Sequence, residues 1–185
     1  DLTVTSESEG KEPLSLKQSF CYMDPTGATP GKKAEGFLFG IDTHFPSWRI
    51  DAETEAEAVA LCGAKIVREN TDWNNSQPEK EFPVSYAYIS DPFEPFEKLG
   101  LEFQPTLLYT PKWAVSQTTK PIWPEMSKRP YLSCPDFKLW RAYVREYFLH
   151  TKGRMRYYEV WNEADIAFAN FPWVEYIELQ RIAYE

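Results

Sequence analysis

Short apolar runs alternate with amphipathic segments along most of the chain. Four apolar runs predict buried strands, at residues 37–41, 64–68, 101–109 and 157–161. The other segments place apolar residues at helical spacing and predict helices at 52–62, 92–99, 136–150 and from about Trp173. Gly63 and Gly100 end two of these helices, a position where glycine is common. Strands that alternate with helices predict βαβ units and a parallel sheet in an α/β fold.

A (β/α)8 barrel, or TIM barrel, has eight such units in about 250 residues. Residues 36–185 therefore supply about half of one. A doubly wound nucleotide-binding fold is the weaker alternative, because no GxGxxG or GxxxxGKS motif follows the first predicted strand.

The first 35 residues follow a different pattern. Residues 2–6 and 14–22 alternate apolar and polar side chains, and Gly10 and Lys11 between them predict a turn. The sequence thus predicts a β-hairpin, which is marginally stable alone. It either packs on the following domain or ends an N-terminal β-sandwich. A stretch rich in Pro, Gly and Thr, at 25–33, predicts a linker.

Composition narrows the classes of partner. The net charge of -8 argues against nucleic acid and anionic membranes, and a neutral substrate is easier to reconcile with it. No apolar run reaches the roughly 18 residues of a membrane span. The chain begins at Asp1 with no signal peptide, as a mature or trimmed protein does. Cys21, Cys62 and Cys134 are widely spaced and only two histidines occur, so we expect no metal and no cofactor.

The residues that most clearly indicate a catalytic role are Asn162 and Glu163, directly after the last predicted strand. Catalytic residues of α/β barrels lie at the carboxyl ends of strands. A protonated Glu at this place can donate to a departing sugar oxygen, and Asn can hydrogen-bond a sugar hydroxyl. The alternative is that Glu163 only favours the start of the next helix through the helix dipole.

The order of motifs resembles a known enzyme superfamily. The relevant segments are Gly40-Ile41-Asp42-Thr43-His44, Gly63-Ala64-Lys65-Ile66-Val67-Arg68, Tyr109-Thr110-Pro111-Lys112-Trp113-Ala114 and Trp161-Asn162-Glu163. Together they resemble the retaining (β/α)8-barrel glycoside hydrolases with the acid/base on strand four and the nucleophile on strand seven. Within these, the xylosidase and iduronidase type, family 39, is the most similar. The resemblance implies the first four βα units of the barrel.

The resemblance also implies roles for single residues. Glu163 would be the general acid/base, and Asn162 would hydrogen-bond the 2-hydroxyl of the sugar. Arg68 would hold the nucleophile ionised from near the barrel floor. His44 would contact hydroxyls of the same sugar, with a buried structural role as the alternative.

The aromatic residues are candidates for sugar stacking, because 16% of the chain is aromatic and many of these residues lie between predicted elements. Under the resemblance, Trp113 and Trp161 would line the cleft, and a core role is the alternative for Trp161. The loop residues Trp48, Trp73 and Trp123 are weaker candidates. Asp72 and Asn74 follow the second predicted strand and would meet hydroxyls or cap the loop, of which capping is favoured.

The family pattern is incomplete in this chain. The nucleophile of such enzymes is a Glu on strand seven, and the sequence ends in its fourth predicted helix. Glu69, Asp72 and Glu159 do not replace it, although strand alternation places Glu159 on the same side as Glu163. We therefore expect the C-terminal half of the barrel as a partner, either as a second fragment or as further sequence.

The sequence thus predicts a retaining glycoside hydrolase that acts on a β-linked oligo- or polysaccharide, with this chain forming part of its catalytic barrel. The alternative is a barrel that binds carbohydrate without cleaving it. The substrate class implies an extracellular or periplasmic protein. The sugar, the linkage and endo or exo action depend on the loops of the whole barrel, of which this chain is expected to supply half.

Overall fold

The computed structural model describes residues 2–6, 14–18, 39–44, 51–88 and 93–185. At the N-terminus, β1 (Leu2–Ser6) and β2 (Leu14–Gln18) pair antiparallel, with Leu2 opposite Gln18. This pairing confirms the predicted hairpin. Residues 19–22 and the predicted linker at 25–33 lie outside the described residues, and the N-terminal β-sandwich stays a prediction.

The second sheet has four parallel strands in chain order, which are β3 (Gly40–Asp42), β4 (Ile66–Asp72), β5 (Glu102–Leu108) and β6 (Glu159–Val160). The helices are α1 (Ala52–Leu61), α2 (Trp73–Ser76), α3 (Glu94–Lys98), α4 (Phe137–Thr151) and α5 (Trp173–Tyr184). Parallel neighbours in chain order, joined by helical crossovers, are the arrangement of consecutive units in a (β/α)8 barrel. The predicted α/β fold is confirmed.

Strand pairing brings distant parts of the chain to one edge. Asp42 pairs with Arg68, and Thr106 of β5 pairs with Glu159. Gly40 permits the close approach of β3 to β4, because a Cβ there would lie 2.7 Å from a methyl carbon of Ile66. The carboxyl ends of all four strands therefore lie at the same edge of the sheet.

The two faces of the sheet differ. On one face, Val67, Phe103, Leu107 and Val160 join a hydrophobic core that also contains Trp140 of α4. On the other face, Arg68 and Glu159 are partly buried, and Asp42 is exposed. In a closed barrel this second, polar face is the one that lines the interior.

Of the three strands whose predicted range is fully described, β4 and β6 differ from the prediction by more than one residue at an end. β4 continues through 69–72, which the sequence assigned to a loop, because Glu69 and Thr71 find buried hydrogen-bond partners. The last strand is shorter than predicted and contains only Glu159 and Val160, since the backbone turns at Trp161. In the described part of the chain, no helix is long and apolar enough to cross a membrane.

Candidate active site

Arg68 is the centre of a polar network on the inner face of the sheet. Its Nε donates to Glu159 Oε2 at 2.6 Å, its Nη1 to Asp42 Oδ1 at 3.0 Å and its Nη2 to Asn162 Oδ1 at 2.7 Å. Thr106 Oγ1 donates to the same Glu159 oxygen at 2.8 Å. Burial lowers the pKa of Arg68, but the hydrogen bonds to Glu159 and Asp42 hold it above its usual value. One guanidinium thus ties together side chains from β3, β6 and the loop after β6.

A further carboxylate, that of Glu69, lies close to His44. Glu69 is 1% exposed, and its carboxylate accepts from Thr43 Oγ1 at 3.0 Å and from the Asn70 backbone N–H at 2.8 Å. His44 Nδ1 lies 3.9 Å from Glu69 Oε1, and the ring is partly exposed. The end of β3 therefore presents a partly exposed histidine close to a buried acid.

The backbone is unusual where β5 and β6 end. Tyr109, Trp161 and Glu163 have φ angles of 63°, 67° and 41°, in the left-handed region that residues other than glycine rarely adopt. Such conformations tend to persist at functional sites, where the surrounding structure holds them. Asn162, which lies between two of these residues, is partly buried, and Glu163 is exposed.

Tyr109 lies directly after β5, near both Asp72 and Glu163. Burial, followed by the nearby Asp72, Tyr131 and Glu163, raises the pKa of the Tyr109 hydroxyl to about 12. Glu163 therefore lies near the end of β5, at the same edge of the sheet as Asp72 of β4. This is the edge at which barrel enzymes bind substrates.

Asp72 ends β4 in a largely buried position. Its Oδ2 accepts from the side-chain Nδ2 of Asn75 at 2.9 Å, but its side chain makes no capping hydrogen bond to the backbone of α2, so the favoured capping role stays a prediction. Burial raises the pKa of its carboxyl to about 6, although the hydrogen bond from Asn75 lowers it. Within the described residues, the buried side-chain oxygens Asn70 Oδ1, Asp72 Oδ1 and Asn74 Oδ1 accept no hydrogen bond.

The stacking role predicted for Trp73 requires correction, and the position of Trp161 agrees with its core alternative. Trp73 is 1% exposed and stacks on Tyr143 with ring centroids 4.5 Å apart. Trp161 is 2% exposed, and its Nε1 donates to the Phe168 carbonyl at 2.7 Å. Neither indole presents a free face to a sugar, because both rings complete the core. Trp161 also leaves the strand alternation, since its φ is positive.

Two other candidate tryptophans, Trp113 and Trp123, are partly exposed. Trp113 is partly buried in the short 3-10 helix Lys112–Ala114, and its Nε1 donates to the Gln77 carbonyl at 3.0 Å. The Trp123 backbone is held by the buried Asn170, whose Oδ1 accepts from the Trp123 N–H at 2.7 Å. Trp48 lies outside the described residues. The stacking role of Trp113 and Trp123 thus stays a prediction.

The described residues contain no group of three or more His, Cys, Asp or Glu side chains placed to hold a metal ion. Cys62 is an exposed free thiol, and Cys134 is a buried one whose pKa burial raises to about 12. Cys21 lies outside the described residues.

Sequence reasoning missed two members of the network, Asp42 as a partner of Arg68 and Thr106 as a partner of Glu159. Strand pairing could have identified both. Asp42 directly precedes the Thr-His end of the first strand, and Thr106 lies within an apolar run where a polar side chain needs a partner.

No protein-family model matches the sequence, and a search of curated proteins finds no match. Solved structures do resemble it. A family 39 glycoside hydrolase from the gut symbiont Bacteroides cellulosilyticus WH2 aligns over 94% of this chain with a TM-score of 0.57 and 14% identity. A beta-glycosidase from Pyrococcus horikoshii aligns over 84% with a TM-score of 0.52 and 16% identity.

The chain folds as the first βα units of a (β/α)8 barrel. It spans 32% of the first of these two chains and 46% of the second. The predicted resemblance to the family 39 type is thus matched at the level of fold. At these identities the likeness concerns the fold alone.

Proposed function

We propose that the protein carrying this chain is a retaining glycoside hydrolase that cleaves a β-linked oligo- or polysaccharide. The observation that supports this best is the position of Asn162 and Glu163, adjacent at the carboxyl end of β6. The guanidinium of Arg68, in the middle of β4, hydrogen-bonds both Asp42 at the end of β3 and Asn162 after β6. A proton donor beside a fixed amide, at the catalytic end of a parallel barrel sheet, suits cleavage of a glycosidic bond.

Glu163 is the general acid/base of this proposal. It protonates the leaving oxygen while the glycosidic bond breaks, and it then accepts a proton from the water that hydrolyses the glycosyl-enzyme. Its exposed side chain is accessible to a ligand. Asn162 binds the 2-hydroxyl, His44 binds hydroxyls of the same sugar, and Trp113 forms a wall of the cleft.

Retention requires a second carboxylate, about 5 to 5.5 Å from the first, as nucleophile. We place it in the C-terminal half of the barrel, as a second fragment or as further sequence, where Arg68 helps to keep it ionised. A polysaccharide substrate also places the protein outside the cytoplasm, in the extracellular space or the periplasm.

Substitution Glu163→Gln in the full-length protein tests this proposal. General acid catalysis contributes roughly 10²- to 10⁴-fold, and it matters most for leaving groups that need protonation. We expect a loss of that size with alkyl glycosides or disaccharides, and a much smaller one for cleavage of activated aryl glycosides. Asp165→Asn, an exposed carboxyl two residues away, is the matched control.

Equal loss on both substrate classes would remove the acid assignment. A wild-type protein that binds polysaccharide and cleaves no glycoside would instead support the non-catalytic carbohydrate-binding alternative.

A further inference from the structure

The contact between Arg68 and Asn162 fixes which end of the amide faces the cleft. Arginine carries only donors, so the Asn162 atom 2.7 Å from Arg68 Nη2 is the carbonyl oxygen Oδ1. One acceptor of the amide is therefore already engaged inside the protein. The Nδ2 amide group remains to donate to a ligand.

Arg68 in turn is held by Glu159. The Nε contact of 2.6 Å is the shortest of the three hydrogen bonds that Arg68 makes in this network, and it joins opposite charges. Hydrogen bonds between ionised partners are stronger than neutral ones. Asp42, the other carboxylate on Arg68, is more exposed, at 51% against 32% for Glu159. Of the two carboxylates, Glu159 is thus the one that is less exposed to water and holds Arg68 more firmly.

Glu159 is itself fixed by a buried side chain. Thr106 is fully buried in β5, and its Oγ1 donates at 2.8 Å to the same oxygen that Arg68 Nε contacts. The order of contacts therefore runs from Thr106 through Glu159 and Arg68 to the Asn162 amide. Each member lies on a strand or directly after one, which makes the orientation of the amide precise.

We propose that Glu159 is a positioning residue that, through Arg68, orients Asn162 so that its Nδ2 donates to the 2-oxygen of the sugar. This inference rests on the proposed function. Glu159 acts on the substrate only through Arg68 and Asn162, and it transfers no proton itself. The interaction with the 2-hydroxyl of glycosides strengthens in the transition state, so the orientation affects the rate.

The test compares two aryl glycosides that differ only in the 2-hydroxyl. Substitution Glu159→Gln removes the charge and keeps the shape of the side chain. We expect roughly a 10- to 100-fold fall in kcat/KM with the 2-hydroxy substrate, which is the size of a lost hydrogen bond to a charged group. For the 2-deoxy substrate we expect a change of less than about threefold on the same reasoning.

Glu97→Gln is the matched control. Glu97 accepts two hydrogen bonds from Arg154, at 3.0 and 2.9 Å, and this pair is about as buried as the Arg68–Glu159 pair. It lies away from the carboxyl ends of the strands, so we expect no change in the preference between the two substrates. Equal loss on both substrates in Glu159→Gln, with Glu97→Gln unchanged, would overturn the positioning role.

Two further variants keep the inference testable if Glu159→Gln folds poorly. Thr106→Val retains the shape of a buried side chain and removes one bond to Glu159. We expect the same loss of 2-hydroxyl preference, but smaller. Asn162→Asp keeps an oxygen and removes the Nδ2 donor, so we expect it to lose the preference entirely. If Asn162→Asp kept the full preference for the 2-hydroxy substrate over the 2-deoxy substrate, the Asn162 amide would not be the donor to the sugar.

A readout without turnover separates this inference from the proposed function. If the wild-type protein cleaves no glycoside, the proposed function fails. The side-chain NH₂ resonances of Asn162 in ¹⁵N–¹H NMR spectra then report its orientation. Glu159→Gln should shift them and Glu97→Gln should not. Unshifted resonances in Glu159→Gln would overturn the inference independently.

Discussion

At the residue scale, the proposed chemistry depends on side chains that the backbone holds in an uncommon conformation. Glu163 has a φ of 41°, and Trp161 two positions earlier has a φ of 67°. A left-handed residue other than glycine costs about 1–2 kcal/mol. Asn tolerates this region better than Glu. The Glu at position 163 is therefore retained at a cost in stability, as a residue needed for function would be.

The first prediction follows from that cost. Glu163→Asn should raise the free energy of unfolding by about 0.5–1 kcal/mol, because Asn reduces the penalty of the left-handed backbone. Urea unfolding followed by tryptophan fluorescence measures this. Asp165→Asn makes a similar change nearby at a residue without positive φ, and it should be neutral. A Glu163→Asn protein no more stable than the control would contradict the argument.

The second prediction concerns Asp72. Its pKa is about 6 in the folded chain, against 3.8 for the free side chain, because burial disfavours the charged form. The neutral carboxyl thus stabilises the fold below about pH 4, and this contribution is lost as the pH rises through 6. Asp72→Asn cannot ionise and keeps an acceptor for Asn75.

Relative to wild type, Asp72→Asn should gain on the order of 2–3 kcal/mol in unfolding free energy between pH 4 and pH 7. Urea titrations at several pH values measure the difference, with Asp165→Asn as the exposed control. A difference that stays constant with pH would contradict the buried, raised pKa.

Sequence reasoning placed Glu163, Asn162 and Arg68 at strand ends, and the structure brings the last two within hydrogen-bond distance. Strand periodicity makes this possible, because parallel strands align their carboxyl ends. The same reasoning misjudged Trp73 and left two roles open for Trp161, of which the structure agrees with the core role. An aromatic residue beside a polar loop suits a sugar platform and a core equally, and only packing against Tyr143 and Phe171 decides between them.

At the element scale, the polar segment 69–72 shows why strand ends are hard to predict. Its composition suggests a loop, yet Thr71 Oγ1 donates to the Thr106 carbonyl at 2.9 Å, and Glu69 accepts from Thr43. Polar residues continue a buried strand when a neighbouring strand satisfies them. The two helices whose N-terminal caps are Asp51 and Asp136 were easier to predict, because caps are local.

The third prediction concerns the start of α4. Asp136 accepts from the backbone N–H groups of Lys138 and Leu139 at 2.9 and 3.2 Å. Asp136→Ala should lower the unfolding free energy by about 1 kcal/mol, the usual loss for a helix N-cap. Lys138→Ala, an exposed change in the same turn, should have little effect. Equal stability of the two variants in thermal or urea unfolding would contradict the cap.

At the scale of the whole molecule, two edge strands of the parallel sheet and one helix face are open within the described residues. In the described part of the chain, β3 pairs only with β4 and β6 only with β5. Trp173, Val174 and Ile177 of α5 are each more than half exposed. Unpaired strand edges and apolar patches promote association in water.

The fourth prediction is therefore that the 185-residue chain associates with itself or with the second half of the barrel. Sedimentation velocity should show an average mass that rises with concentration. Association through apolar surface should persist at 1 M salt, where ion pairs are screened. Replacing Val174 and Ile177 by Lys should reduce the association. The control substitution Lys152→Gln, at another exposed position, should leave the association unchanged. A well-folded monomer at every concentration would contradict the prediction.

The most direct measurement of the central claim is rescue by azide in the full-length protein. Glu163→Ala removes the proposed acid/base and leaves room for a small anion that needs no general base to attack the glycosyl-enzyme. With an activated β-aryl glycoside, azide should increase the rate of Glu163→Ala and yield a β-glycosyl azide, while Asp165→Ala should make none. Unchanged rates and no azide product in Glu163→Ala would contradict the assignment of Glu163 as the acid/base of a retaining glycosidase.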